Sequence, residues 1–260
     1  MCLIVVAYRE SRGWPLVVAA NRDEFHRRDT DPAHWWPEQG VLAGRDRRAG
    51  GTWFGAGEDG RFAAVTNFRD SSPQPVEGAS RGSLPLAWLA AAGTEAFHAW
   101  LETEREKFPG FTLLYGDRDS LLCCSNRGET AVAALDPGIH AISNGPLNAP
   151  WPKTEWAKAA MAEIIGRRGA GGAPDPDALL EMLYDRRQPD DAELPDTGVG
   201  IARERFLAPM FIVGPEYGTR SSTVFALSGS GRAVFVERQY DAEGRARNTR
   251  RFDFVTRSGR

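Results

Sequence analysis

Cysteine is scarce: the 260 residues hold three, Cys2, Cys123 and Cys124. They form no even set for disulfide pairing and have no metal-ligand spacing. A disulfide framework and a zinc site are therefore not expected, and free thiols in a reducing, cytoplasmic setting are. Long apolar runs are missing too. Nothing approaches the roughly 20 residues that a bilayer-crossing helix needs. The apolar start is cut short by Arg9, Glu10 and Arg12, with no basic stretch before it, so neither a membrane span nor a secretory signal is expected. No charge sign dominates. Thirty-two Lys and Arg against 35 Asp and Glu give a formal charge of -3, which offers no broad attraction for nucleic acid or anionic lipid. The glycine-rich "AGGTWFGAG" lacks the Lys-Ser/Thr ending of a phosphate loop and precedes a hairpin pattern, not a helix. A strand-turn-helix serine-nucleophile motif is absent, as is any repeat of 20–50 residues.

What remains is an ordinary globular composition, 42% apolar and 26% charged, long enough for one large core. "CLIVVAY" and "PLVVAAN" are rich in β-branched residues and flank a polar, glycine-containing link, the pattern of a β-hairpin. "TWFGA" and "RFAAVTNF" repeat it around "GEDG". Helical spacing follows in "LPLAWLAAA" and "EAFHAWLETEREKF". Strands are expected again at "FTLLYG", "SLLCCSN", "TAVAAL" and "IHAISN", then helices at "KTEWAKAAMAEIIGRR" and "DALLEMLYD". A polar loop, "RRQPDDAELPDTGVG", leads to four more strands, "APMFIVG", "STVFALSG", "AVFVERQY" and "NTRRFDFV". Helices in the middle and strands at both ends predict a mixed α/β (α+β) domain spanning 1–260, in which strands from both chain ends share sheets. Adjacent Cys123 and Cys124 would point to opposite faces of their strand as buried thiols.

Cys2 is the residue with the most chemistry to offer. A thiol attacks only as thiolate, and an ordinary pKa of about 8.5 leaves a minority ionised at neutral pH. Removal of Met1 would free the Cys2 α-amine, whose reference pKa of about 7.7–8.0 suits it to take the thiol proton. One residue then supplies nucleophile and base. In an antiparallel hairpin the exit of the second strand lies beside the start of the first, so "NRDE" (Asn21, Arg22, Asp23, Glu24) arrives next to Cys2. Asp23 is placed to orient the amine. Asn67 and Asn144 each close an apolar strand; a turn role is the bland reading, and an amide donor to an oxyanion, worth about 2.7–4 kcal/mol elsewhere, is the functional one. Arg220, opening a later strand in "YGTRSSTVF", reads as an ion pair or as a fixed positive charge at the site.

These segments, "AANRDEF", "AGGTWFG", "AVTNFR", "ISNGP", "LPDTGVG" and "YGTRSSTVF", together resemble the NRDE family, also called the transport and Golgi organisation protein 2 family. The resemblance implies an N-terminal-nucleophile hydrolase-like fold, a four-layer αββα sandwich of antiparallel sheets, and distant similarity to penicillin V acylase and bile-salt hydrolase. It implies Cys2 as nucleophile, Asp23 at its amine, Asn67 and Asn144 on the oxyanion side and Arg220 as the late arginine. The acylases carry Arg-Asn-x-Asp where this chain reads Ala20-Asn21-Arg22-Asp23, so the acylase arginine falls on Ala20 and the nearest guanidinium is Arg22. The implied activity is hydrolysis or acyl transfer on a small amphipathic amide or thioester, with no cofactor required. The alternative it implies is a non-catalytic carrier of haem, lipid or acyl-coenzyme A. Asn21, Arg22, Trp53, His26 and His34 are the candidate ligand contacts, the two histidines as possible haem partners.

Overall fold

The computed structural model describes residues 2–70, 78–128, 132–167 and 172–257. Its first elements are β1 (Cys2–Ser11), β2 (Trp14–Phe25), β3 (Thr30–Trp36), β4 (Val41–Asp46), β5 (Phe54–Gly57) and β6 (Phe62–Asn67). Next come α1 (Ser83–Ala90), α2 (Thr94–Glu104), β7 (Phe111–Gly116), β8 (Leu121–Ser125), β9 (Ala133–Ala134) and β10 (Gly138–Ile142). The chain ends with α3 (Pro152–Arg167), α4 (Pro176–Leu183), α5 (Ile201–Leu207), β11 (Tyr217–Leu227), β12 (Arg232–Tyr240) and β13 (Ala246–Val255).

Among the described residues the strands form two antiparallel sheets. One runs β10-β1-β2-β11-β12-β13 and the other β3-β4-β5-β6-β7-β8-β9. Strand periodicity sorts the apolar residues into three cores. Ile4, Val6, Leu16, Val18 and Phe225 of the first sheet meet Phe54, Phe62 and Leu114 of the second. The alternate residues Leu3, Val5, Val17 and Ala19 turn outward onto Ala157 and Met161 of α3 and Leu179, Leu180 and Leu183 of α4. On the far side Ala63, Val65, Leu113 and Tyr115 pack under Leu84 and Trp88 of α1 and Phe97 and Leu101 of α2. The result is the four-layer αββα sandwich, with strands from both chain ends in the first sheet as expected. Cys123 faces the inter-sheet core and Cys124 the helix side, both free and buried. Burial pushes the Cys123 thiol up to about 12 and Cys124 further in the same direction. No helix of the described residues is long and apolar enough to cross a membrane.

Some expected elements differ. β3 and β4 lie in "TDPAHWW" and "VLAGRD", where proline, charge and short length hide the alternation. The segment "APMFIVG" forms no strand. Its carbonyls and amides serve β2 and β11 instead: Met210 O accepts from the Asn21 side chain at 2.8 Å, and Ile212 exchanges bonds with Thr219. α5 stands where the polar loop was expected to run straight into strand. Of "TAVAAL" only Ala133–Ala134 pairs as strand, and its first two residues, 130 and 131, lie outside the described residues.

Candidate active site

The β1–β2 register sets Cys2 opposite Arg22, Leu3 opposite Asn21 and Ile4 opposite Ala20. The hairpin therefore brings the NRDE stretch to the head of β1, as its sequence requires. The Cys2 backbone is described; its side chain and Met1 lie outside the described residues. β11 pairs on the other side of β2, placing Thr219 against Asp23 and Ser221 against Arg22, with a bulge between them.

Asp23 is 1% exposed. Its Oδ1 accepts from the Thr219 hydroxyl at 2.7 Å, and its carbonyl accepts from Tyr217 Oη at 2.9 Å. Burial raises its pKa, while Lys153, the Thr219 hydroxyl and Arg22 act to lower it. The carboxylate thus sits where a nearby cation is worth most. Arg22 is also buried, its guanidinium 4.2 Å from the Trp53 ring centroid in a cation–π contact. Because β2 continues unbroken through Phe25, Ala20 and Arg22 share a face, the one turned toward the second sheet. The shift from Ala20 to Arg22 keeps the guanidinium's direction and moves it one pleat toward the strand's end.

A cleft of about 450 Å³ opens here, with Arg22, Asp23, Trp53 and Asn67 among its lining. One wall is the pair Arg28–Asp46, joined by Nε at 2.9 Å and Nη2 at 2.5 Å. Residues 78–82 ahead of α1 also line the cleft, anchored by Thr52 N donating to Gly82 O at 2.9 Å and by Arg81 Nε donating to Gly110 O at 2.7 Å. A Cβ on Gly51 would stand 2.4 Å from the Gly82 carbonyl carbon, so only glycine admits this approach. Gly51→Ala should push that stretch outward and lower stability by about 1–3 kcal/mol, measured by urea unfolding.

Asn67 ends β6 at the cleft. Asn144, 1% exposed and at φ +57°, donates its Nδ2 to the Asn67 carbonyl at 3.0 Å, and its own carbonyl accepts from Arg69 N at 2.8 Å. Asn144 therefore fixes the strand end that presents Asn67 and does not itself line the cleft. Arg220 points elsewhere. Its Nη1 lies 3.0 Å from Phe25 O, 2.9 Å from His26 O and 3.4 Å from Arg28 O, holding the β2–β3 turn. Burial lowers its pKa, against Glu24 and Asp29.

Asn21 is structural, donating to Leu183 O and Met210 O at 2.8 Å each and accepting from Ser222 at 2.6 Å. His26 Nε2 meets Gly214 O at 2.9 Å and His34 Nδ1 meets Pro32 O at 2.8 Å; neither lines the cleft. No group of three or more His, Cys, Asp or Glu among the described residues is arranged to hold a metal ion. Sequence reasoning missed Arg28, Asp46, Arg81 and Lys153. The first three sit in charge-rich stretches that read as solvated turns; Lys153 alone carried a signal, falling on the apolar stripe of its helix.

The profile of the family described as Transport and Golgi organisation 2 matches residues 1–242. This chain belongs to that family. The Transport and Golgi organization protein 2 homolog of Bos taurus is 30% identical over 260 residues, covering 92% of each chain. The Homo sapiens homolog is 29% identical over 281 residues, covering 99% of this family member and 100% of its own length. Among solved structures, the mutant C2A conjugated bile acid hydrolase from Clostridium perfringens superposes with a TM-score of 0.52 at 9% identity, over 98% of this chain and 92% of that one. At that identity the likeness establishes the fold, that of an N-terminal-nucleophile hydrolase.

Proposed function

We propose that this family member is a cysteine N-terminal-nucleophile hydrolase acting on a linear amide or thioester of a small amphipathic acid. The observation that carries the reading is the pairing of Cys2 with Arg22, which sets the amino end of β1 beside the buried Asp23 carboxylate at the head of a cleft. The conjugated bile acid hydrolase with which it shares a fold was solved as a C2A mutant, so that protein too carries a cysteine at position 2.

With Met1 removed, the α-amine accepts the thiol proton and the Cys2 sulfur attacks the carbonyl carbon. The carbon–oxygen π pair moves onto oxygen, where the Asn67 amide stands as the side-chain donor at the cleft. Collapse of the tetrahedral intermediate breaks the bond to the leaving amine or thiol, which takes the proton back from the α-ammonium. Water, deprotonated by the same amine, then cleaves the cysteinyl thioester and releases the acid. Asp23 stays ionised throughout and stabilises the ammonium. Arg22 over Trp53 offers a cation and an aromatic face together, a match for an acyl group bearing an anionic or polar end.

The test starts with intact mass. The expected result is loss of Met1, condensation of the purified protein with 2-cyanobenzothiazole (which requires a free N-terminal cysteine), and acyl-adduct formation from activated fatty acyl esters that vanishes in Cys2→Ala. Retained Met1 overturns the reading. Ligand binding that survives Cys2→Ala with no adduct in the parent protein points to the carrier role, checked by haem titration for a Soret shift.

A further inference from the structure

Lys153 is 4% exposed, and lysine is almost never so buried without a charge to face. It occupies the first turn of α3, on the stripe that continues through Ala157 and Met161. That stripe packs on β1 and β10, in one core with Leu3, Val5 and Ala19 of the outward sheet face. Asn21 and Asp23 continue this face toward the strand's end, because β2 alternates faces with period two. Where the helix stripe begins with an ammonium, the strand face ends with a carboxylate.

The neighbouring charges narrow the pairing. Arg69, from just beyond β6, meets Glu204 of α5 at 2.9 Å, and the two line one small void with Lys153. Glu204 Oε1 also accepts from Thr197 N at 2.9 Å and Thr197 Oγ1 at 2.5 Å, and its Oε2 is the atom that faces Arg69. Asp23, with Thr219 on one oxygen, is the carboxylate that feels both Lys153 and Arg22. Among these groups, Lys153, Arg22 and Arg69 carry three positive charges against two negative, from Asp23 and Glu204.

We infer that Lys153 is a positioning residue of the Cys2 site, holding Asp23 as a carboxylate and, with Arg22, keeping the freed Cys2 α-amine unprotonated at neutral pH. The amine needs both neighbours. Ionised Asp23 orients it, but by itself would favour the ammonium and so remove the base. The two buried cations that act on the carboxylate, Lys153 and Arg22, reverse that bias. Tyr217 and Thr219 of β11 add only hydroxyl groups beside Asp23, while Arg22 also acts on Asp46, which Arg28 pairs, and on Glu237, which Arg250 also influences.

The inference rests on the hydrolase reading, and its test separates the two. Competitive labelling with trace acetic anhydride, read by mass spectrometry of the N-terminal peptide between pH 5 and 9, titrates the amine directly. A Cys2→Ala background removes the thiol from the measurement. The amine is expected to titrate below its ordinary range of about 7.7–8.0. Lys153→Met should move the midpoint up by about one unit, a tenfold loss of free amine at neutral pH, and Lys153→Arg should restore it. A structural role alone would not distinguish arginine from methionine in this way. An ordinary midpoint in the Lys153 protein overturns the inference without any Lys153 variant, as does a midpoint unmoved by Lys153→Met. Retained Met1 overturns both readings, whereas a processed amine with an ordinary midpoint overturns only the role of Lys153.

Discussion

Replacing Glu204 with alanine should lower the unfolding free energy by about 3–5 kcal/mol, the cost of leaving one member of a buried ion pair without its partner. Arg69 is 9% exposed and Glu204 3%, at 2.9 Å. Arg69 also lies 5.3 Å from the Trp151 ring centroid, and burial already lowers its pKa against the help of Glu204. The same carboxylate holds Thr197, so its loss also releases the polar stretch ahead of α5. The double substitution Arg69→Met with Glu204→Leu should recover most of the loss, because it removes both desolvation penalties along with the attraction. Urea unfolding of the parent, the single variant and the double variant checks this. A single-variant loss below about 1 kcal/mol would show that water reaches the pair.

The second large effect has the opposite sign. Glu237 is 2% exposed on the inter-sheet face of β12, and burial raises its pKa from 4.5 to about 7, against the Ala33 amide, Arg22 and Arg250. Its Oε1 accepts from Ala33 N at 2.7 Å, while Arg250 Nη1 donates to Ala33 O at 3.1 Å, so the two side chains hold both backbone polar groups of one β3 residue. The native state holds this proton more tightly than the unfolded chain does. Its contribution is therefore fully present below about pH 4.5 and is lost as pH rises through about 7. Glu237→Gln keeps the acceptor for Ala33 and never ionises. It should stabilise the protein at pH 8 by on the order of 3 kcal/mol and by little at pH 5. Denaturation at the two pH values reads the difference, and an equal effect at both would mean that Glu237 does not titrate in this window.

The fold was legible where side-chain period matched burial. "CLIVVAY" and "PLVVAAN" bury both faces, one on the partner sheet and one on helices, so they read as continuous apolar strands. β3 and β4 were hidden because β3 carries Asp31 and Pro32, with a register shift between Asp31 and His34. "APMFIVG" misled for the converse reason: Met210, Phe211 and Ile212 are buried, but backbone groups of the segment are taken by Asn21 and Thr219, leaving no ladder to join. At the cleft, the arrival of Arg22 and Asp23 beside the head of β1 followed from the antiparallel pairing of β1 with β2. The roles of Asn144 and Arg220 did not. Both sit at strand ends, yet Asn144 directs its amide to a main-chain carbonyl and Arg220 reaches the β2–β3 turn, choices set by φ at one and a bulge at the other. Lys153 showed in the sequence only as a charge on the apolar stripe of its helix, with nothing nearby in the chain to tie it to the site.

Arg22 acts to lower the pKa of Asp23, Asp46 and Glu237 alike. Three acids from three strands thus share one guanidinium. Protonating any of them frees part of that charge for the other two, so their titrations are linked. An acidic ligand entering above Trp53 would join the same competition, and its arrival would be registered as proton uptake by groups it never touches.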